Sequence, residues 1–229
     1  MFCDSDDECD ISILEKLSED IGECDLGVSA YISSHGANKK VVDFYSVFDG
    51  EVDRMFVAKN DGNPWGKVFK KSIIDENDIT FPARMTGEDK VFVVNYLVHT
   101  NCVCKISEPY YTYVNNPQSI SHRKEGADIN LPTTFELLSK IYHEHFPEIE
   151  TEMFVTEHLM TRAKQMTALK YSCRQIREWF KEENKRYKDW YNTIDKSGLS
   201  LYRKAIYKAM YKSSGVKIKF LMFIRKILH

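Results

Sequence analysis

Apolar residues recur at helical spacing near the start of the chain and again through its last hundred residues, while the region between alternates in short runs. Ile11, Leu14, Leu17 and Ile21 predict one helical face, with Asp10 as its N-cap. Residues 25–33 and 39–47 read as strands joined by a Gly36-Ala37-Asn38 turn. Met1 to Cys3 reads as the end of a strand, and Trp65 to Phe69 as another. A helix is predicted from Lys90 to about His99, followed by short strands over 102–106 and 110–114. Beyond Pro132 the pattern is helical to the end, with Phe135, Leu138 and Tyr142 on one face and Ile176, Trp179 and Phe180 on another. The pattern therefore divides the chain into a mixed α/β part, residues 1–125, and a helical extension, residues 126–229. No internal repeat or low-complexity tract interrupts either part.

Composition narrows the class. The 229 residues are 43% hydrophobic and 29% charged, which suits a soluble chain with a substantial core. The formal net charge of -2 conceals a strong asymmetry. Residues 1–100 carry 20 acidic and 10 basic side chains, whereas residues 201–229 carry 8 basic and none acidic. An acidic front suits a cation, and a basic tail suits an anionic surface. The slightly acidic total and the lack of a recognition motif argue against nucleic-acid binding.

The six cysteines form no C-x-x-C pair, and no histidine spacing completes a zinc site. Cys102 and Cys104 alternate on a predicted strand and read as small buried hydrophobes. The start MFCDSDDECD lacks the basic and apolar segments of a signal peptide, and the longest late apolar run is too short to span a bilayer. These features predict a cytoplasmic protein with reduced thiols.

Two acidic motifs carry candidate chemistry. In Asp4-Ser5-Asp6-Asp7, carboxylates two residues apart at a strand end suit one hard divalent cation with positions left for phosphate oxygens. A solvated acidic helix start is the alternative. An EF-hand fits poorly, since Cys9 stands where the loop requires glycine. In Gly87-Glu88-Asp89, a carboxylate at a helix mouth suits proton abstraction from a hydroxyl. Thr86 and Asp89 alternatively form a capping box.

The order of these motifs and their neighbours resembles glycosyltransferase family 2. The acidic Asp4-Ser5-Asp6 corresponds to a D-x-D motif, and Trp65-Gly66-Lys67 to a W-x-K segment. Glu88-Asp89 corresponds to an E-D motif, Pro109-Tyr110-Tyr111-Thr112-Tyr113 to a P-x-Y-x-Y strand, and Ser119-Ile120-Ser121 to the turn after it. The resemblance covers about residues 1–123. It implies a partial GT-A domain, a Rossmann-like α/β nucleotide-diphospho-sugar transferase fold, followed by the helical segment.

The resemblance also implies roles. Asp4 and Asp6 would bind Mn2+ or Mg2+ against the donor diphosphate, with Asp7 an auxiliary acid. Asp89 would be the general base toward an acceptor hydroxyl, and Glu88 would position substrate. Trp65 would line the sugar or acceptor pocket, unless it is a core tryptophan. His122 and Arg123 would neutralise diphosphate charge, unless they are a surface pair. The implied reaction is inverting transfer from a nucleotide-sugar donor, UDP-linked, to a glycan or lipid-linked acceptor. Family members carry a nucleotide-binding βαβ half before the D-x-D motif, and here Met1 lies three residues before Asp4. The uracil and ribose contacts are therefore expected outside these residues, and activity of this chain alone is not expected. The rival expectation is a non-catalytic remnant that binds a partner polypeptide.

In the tail, Tyr202, Ile206, Ala209 and Met210 share one helical face, and Phe220, Phe223, Ile224 and Ile227 another, amid lysines and arginines. One reading is peripheral attachment to an anionic membrane at its inner face, where lipid-linked acceptors reside. The other is a helix packed on its own domain.

Overall fold

The computed structural model describes residues 1–36, 38–43, 45, 62–83, 87–116 and 131–228. Two units divide the chain, Met1–Ile129 and Asn130–His229.

The described residues of the first unit form seven strands in two sheets. The first sheet has the order β1 (Glu8–Cys9), β7 (Tyr111–Val114), β3 (Tyr31–His35), β4 (Asn38–Val42). The second has the order β5 (Lys67–Phe69), β2 (Leu26–Val28), β6 (Val103–Lys105). β3 and β4 make the expected hairpin, closing at the His35–Asn38 pair around Gly36. The expected strand over 25–33 is instead two, broken at Ser29 and Ala30. The Ser29 amide donates to the Gly66 carbonyl at 3.0 Å, and its hydroxyl to the carbonyl of Ala30 at 2.8 Å. β2 runs parallel to β6, and β3 parallel to β7, so the break hands the pairing from one sheet to the other. Met1 to Cys3 is irregular rather than strand, a correction to the sequence expectation.

Parallel neighbours require a long crossover. Between β2 and β6 the chain passes through α2 (Lys71–Glu76) and α3 (Glu88–Leu97). Val91, Phe92, Val93, Val94, Tyr96 and Leu97 of α3 are all buried, which is why the helix is apolar on every side. α1 (Leu14–Ile21) follows a short 3-10 turn over Ile11–Ile13. Asp10 caps that turn by accepting from the Ser12 amide and hydroxyl at 2.9 and 2.6 Å.

Tyr96 ties α3 to the second sheet. Its buried hydroxyl donates to the Asp25 carbonyl at 2.5 Å and accepts from the Lys70 amide at 2.9 Å. Burial pushes this phenol up to about 12, so it stays a donor at any physiological pH. Tyr96→Phe removes both bonds and leaves the Lys70 amide and the Asp25 carbonyl with their bond to each other at 3.1 Å. A loss of about 1–3 kcal/mol in denaturant unfolding is expected, and an unchanged midpoint would contradict this tie.

The second unit is helical. Its elements are α4 (Leu131–His145), α5 (Glu150–Met153), α6 (Met160–Ala168), α7 (Cys173–Arg186), α8 (Trp190–Thr193), α9 (Leu201–Tyr211) and α10 (Gly215–Leu228). α5 continues into α6 through a π-helical stretch, Phe154–Leu159. Ser172 and Gln175 form a capping box at the start of α7, with the Ser172 hydroxyl accepting from the Gln175 amide at 3.2 Å. The core gathers Phe154, Leu159, Ile176, Phe180, Ile206 and Met210, among others. Gly215 lets α10 begin against α7, since an added Cβ would lie 2.0 Å from the Cys173 carbonyl oxygen. None of the described helices is long and apolar enough to cross a membrane.

Candidate active site

The acidic loop folds at the carboxyl end of β7, beside its parallel neighbour β3, where open α/β sheets hold their ligands. Pairing of Glu8 with Thr112 and Cys9 with Tyr111 lays the preceding loop along the strand. The Asp7 amide donates to the Asp4 carbonyl at 3.1 Å, closing a tight turn. Asp7 then serves as the anchor. Its Oδ1 accepts from the Val114 amide at 2.8 Å and its Oδ2 from the Tyr111 hydroxyl. The same hydroxyl accepts from the Asp4 amide at 3.3 Å. Asp6 accepts from Asn116 Nδ2 at 3.2 Å. Burial pushes the Tyr111 phenol well up, and the bond to Asp7 adds to this, so Tyr111 remains protonated in its clamp.

Behind the clamp stands Trp65. Its ring stacks on Tyr111 at 4.9 Å between centroids and 5° between planes, and on Tyr113 at 5.5 Å. Trp65 is 7% exposed, within a cluster with Leu17, Ile106 and Tyr110. Of its two sequence readings, this placement is that of the core tryptophan. Its effect on the acidic loop passes through Tyr111. Nearby Lys67 is buried and donates from Nζ to the Asn63 carbonyl at 2.6 Å. This is the lysine of the W-x-K segment, and the strand β5 places it inside the unit.

The second acidic motif sits on α3. Gly87 is the N-cap, with φ +86, a left-handed conformation that glycine adopts without strain. Gly87 itself has no side chain to cap the helix, and the capping-box reading rests on Thr86, which lies outside the described residues. Glu88 and Asp89 occupy the first turn. A helix start favours a carboxylate, yet burial pushes the Asp89 carboxyl up to about 6, aided by the negative charges of Glu88 and Asp4. Burial likewise raises Asp4, with Asp7 and then Asp6 contributing. The carboxylates of two distant motifs thus feel one another and form a single acidic pole.

Aromatic packing explains the convergence. Phe2, two residues before Asp4, meets Phe92 edge-to-face at 5.3 Å, and Phe92 lies one turn along α3 from Asp89. Phe81 stacks on Phe92 at 4.1 Å, and Phe69 meets Phe2 at 5.5 Å. This knot holds the chain start against α3. Nothing in the spacing of single phenylalanines pointed to it.

Four of the predicted site residues, Asp4, Asp6, Glu88 and Asp89, therefore belong to one region, with Trp65 behind it. His122 and Arg123 lie outside the described residues. Among the described residues no three His, Cys, Asp or Glu side chains form a ready-made metal cage. Asp4 and Asp6 offer hard oxygen donors whose mutual repulsion a cation would relieve, which fits an ion that takes its remaining ligands from phosphate and water.

No family model matches the chain. Residues of this chain are 35% identical over 81 positions to the poly(ribitol-phosphate) beta-N-acetylglucosaminyltransferase TarP of Staphylococcus aureus, a match spanning 33% of this chain and 25% of TarP. The structure of S. aureus TarS 1–349 in complex with UDP-GlcNAc superposes with a TM-score of 0.66 at 15% identity, covering 100% of this chain and 68% of TarS 1–349. The fold is that of TarS 1–349. The same TarS fragment with UDP gives a TM-score of 0.55 at 14% identity and 67% coverage of that chain. The mixed α/β architecture expected from the sequence is therefore present.

Proposed function

We propose that the chain supplies the metal and acceptor side of a family 2-type glycosyltransferase that uses a UDP-linked sugar. The observation that carries this reading is the shared acidic pole of Asp4 and Asp89, with Asp89 raised to about 6. A carboxylate with that affinity for protons is mostly ionised at neutral pH, yet basic enough to accept a proton. Asp89 takes the proton of an acceptor hydroxyl as that oxygen attacks the anomeric carbon. The bond from that carbon to the diphosphate breaks with inversion, and its electron pair leaves on the phosphate oxygen. Asp4 and Asp6 would hold a Mn2+ or Mg2+ ion, whose chemistry is to stabilise the charge on the departing diphosphate. Glu88 orients the acceptor beside the base.

The names of similar proteins suggest where to begin. TarP is a poly(ribitol-phosphate) N-acetylglucosaminyltransferase, and TarS was crystallised with UDP-GlcNAc. UDP-GlcNAc is therefore the first donor to test, with hydroxyls of a polyol-phosphate polymer or other glycan as acceptors. Release of UDP should depend on acceptor and on Mn2+, in protein purified from its native source with any associated chain. Absence of UDP release with every nucleotide sugar, in protein of intact fold, would overturn the proposal in favour of a binding remnant.

The metal assignment has a test that needs no turnover. Mn2+ binding to the 229-residue chain, followed by electron paramagnetic resonance, should weaken about tenfold or more in Asp4→Asn and Asp6→Asn. Equal Mn2+ affinity in wild type and both variants would remove the ion from this loop.

A further inference from the structure

We infer that α10 carries a docking surface for an anionic lipid bilayer, built from the outward stripe Val216, Phe220 and Phe223 with lysines on its flanks. These three are 68%, 61% and 59% exposed. Their spacing of four and then three residues puts them on one face of the helix. The opposite face is already occupied. Ile218 and Met222 are buried in the helical core, and Gly215 fixes the start of the helix against Cys173. The stripe is therefore not an unsatisfied part of the unit's own packing.

The structure also reassigns the other apolar face expected to meet a membrane. Ile206, Ala209 and Met210 of α9 are buried among the core residues of the helical unit. What remains outward on α9 includes the basic Arg203, Lys204 and Lys208, with Ala205 between them and the apolar Leu201 at the start of the helix, 86% exposed. On α10, Lys217 lies on one flank of the stripe, and Lys219 lies on the other, its Nζ reaching the Tyr171 carbonyl at 2.9 Å.

Charge selects the occupant. Residues 201–229 hold eight basic and no acidic side chains. Protein interfaces are depleted in lysine, and a second copy would set one basic surface against another. Aromatic rings flanked by lysines match the boundary of an anionic membrane, where rings enter the acyl region and ammonium groups meet headgroups. With no described helix able to span, α10 would lie in the plane of the interface.

Flotation with phosphatidylcholine vesicles, with and without phosphatidylglycerol, tests this inference independently of sugar transfer. The 229-residue chain should float with the anionic vesicles and not with the neutral ones. Binding should weaken as salt rises toward about 1 M, where screening acts within about 3 Å. Phe220→Ser with Phe223→Ser should lower partitioning about tenfold or more, as should Lys208→Glu with Lys217→Glu, with thermal melts unchanged because all four side chains are exposed. If either folded double variant floats as well as wild type, or neutral vesicles bind equally, the inference fails. It also fails if no vesicle binds and the phenylalanine variant instead loses self-association in sedimentation, which would make the face an interface between copies.

Discussion

Replacing Asp89 by asparagine is expected to lower turnover about a hundredfold or more while making the fold more stable. The two effects share one cause. Burial and the charges of Glu88 and Asp4 raise the folded carboxyl from 3.8 to about 6. A carboxyl raised on folding binds its proton more tightly in the native state. Its contribution to stability is therefore fully present below about 4 and is lost as pH rises through 6. At neutral pH the ionised group opposes folding by about 1–2 kcal/mol, since solvent still reaches part of it. Asparagine keeps the shape and removes the charge. Denaturant unfolding should therefore show a gain at pH 7 that disappears near pH 4, alongside the loss of turnover. A variant with wild-type turnover would leave Asp89 without a chemical role. A variant destabilised at neutral pH would mean that the carboxylate is well solvated or paired.

The largest expected effect on stability lies in the helical unit. His158 Nε2 and Glu183 Oε2 are 2.8 Å apart, with side chains 1% and 7% exposed. The imidazole is stacked on Phe135 at 4.3 Å and meets Trp179 at 5.2 Å. His158 lies in the π-helical stretch and Glu183 on α7, so the pair joins two segments through an apolar interior. Glu183→Ala leaves a polar ring buried without this partner and should cost about 3–5 kcal/mol. Replacing both partners by apolar residues of similar size should recover most of that loss, because desolvation offsets much of the pair's own attraction. Melts of the single and double variants read this directly. A Glu183→Ala chain that melts with wild type would contradict the role of the pair.

Local pattern made some of this architecture legible. The apolar run after Asp89 announced α3, the hairpin around Gly36 followed from turn chemistry, and Asp10 stood where a cap was expected. The acidic motifs were visible because two carboxylates at short spacing need a reason. Long-range pairing was not visible. Residues 25–33 look like one strand, and only the Ser29 contact with Gly66 divides it between sheets. Trp65 had two readings, which only its stacking on Tyr111 could separate. The tail taught the same lesson, since Ile206 and Phe220 look equally apolar in sequence, yet one lies in the core and the other faces outward. The meeting of Asp4 with Asp89 depends on a knot of four phenylalanines drawn from four separate segments. No spacing rule encodes that.

The central claim is that these two motifs form one charged site, and the titration of Asp89 tests it most directly. Carboxyl resonances of selectively labelled protein would be followed against pH, without and with Mn2+. The account predicts a midpoint near 6 for Asp89 in the absence of metal. It predicts a clear downward shift when Mn2+ occupies the Asp4 and Asp6 loop, since a nearby cation favours the ionised form. A midpoint near the ordinary value of 3.8, unmoved by Mn2+, would contradict it.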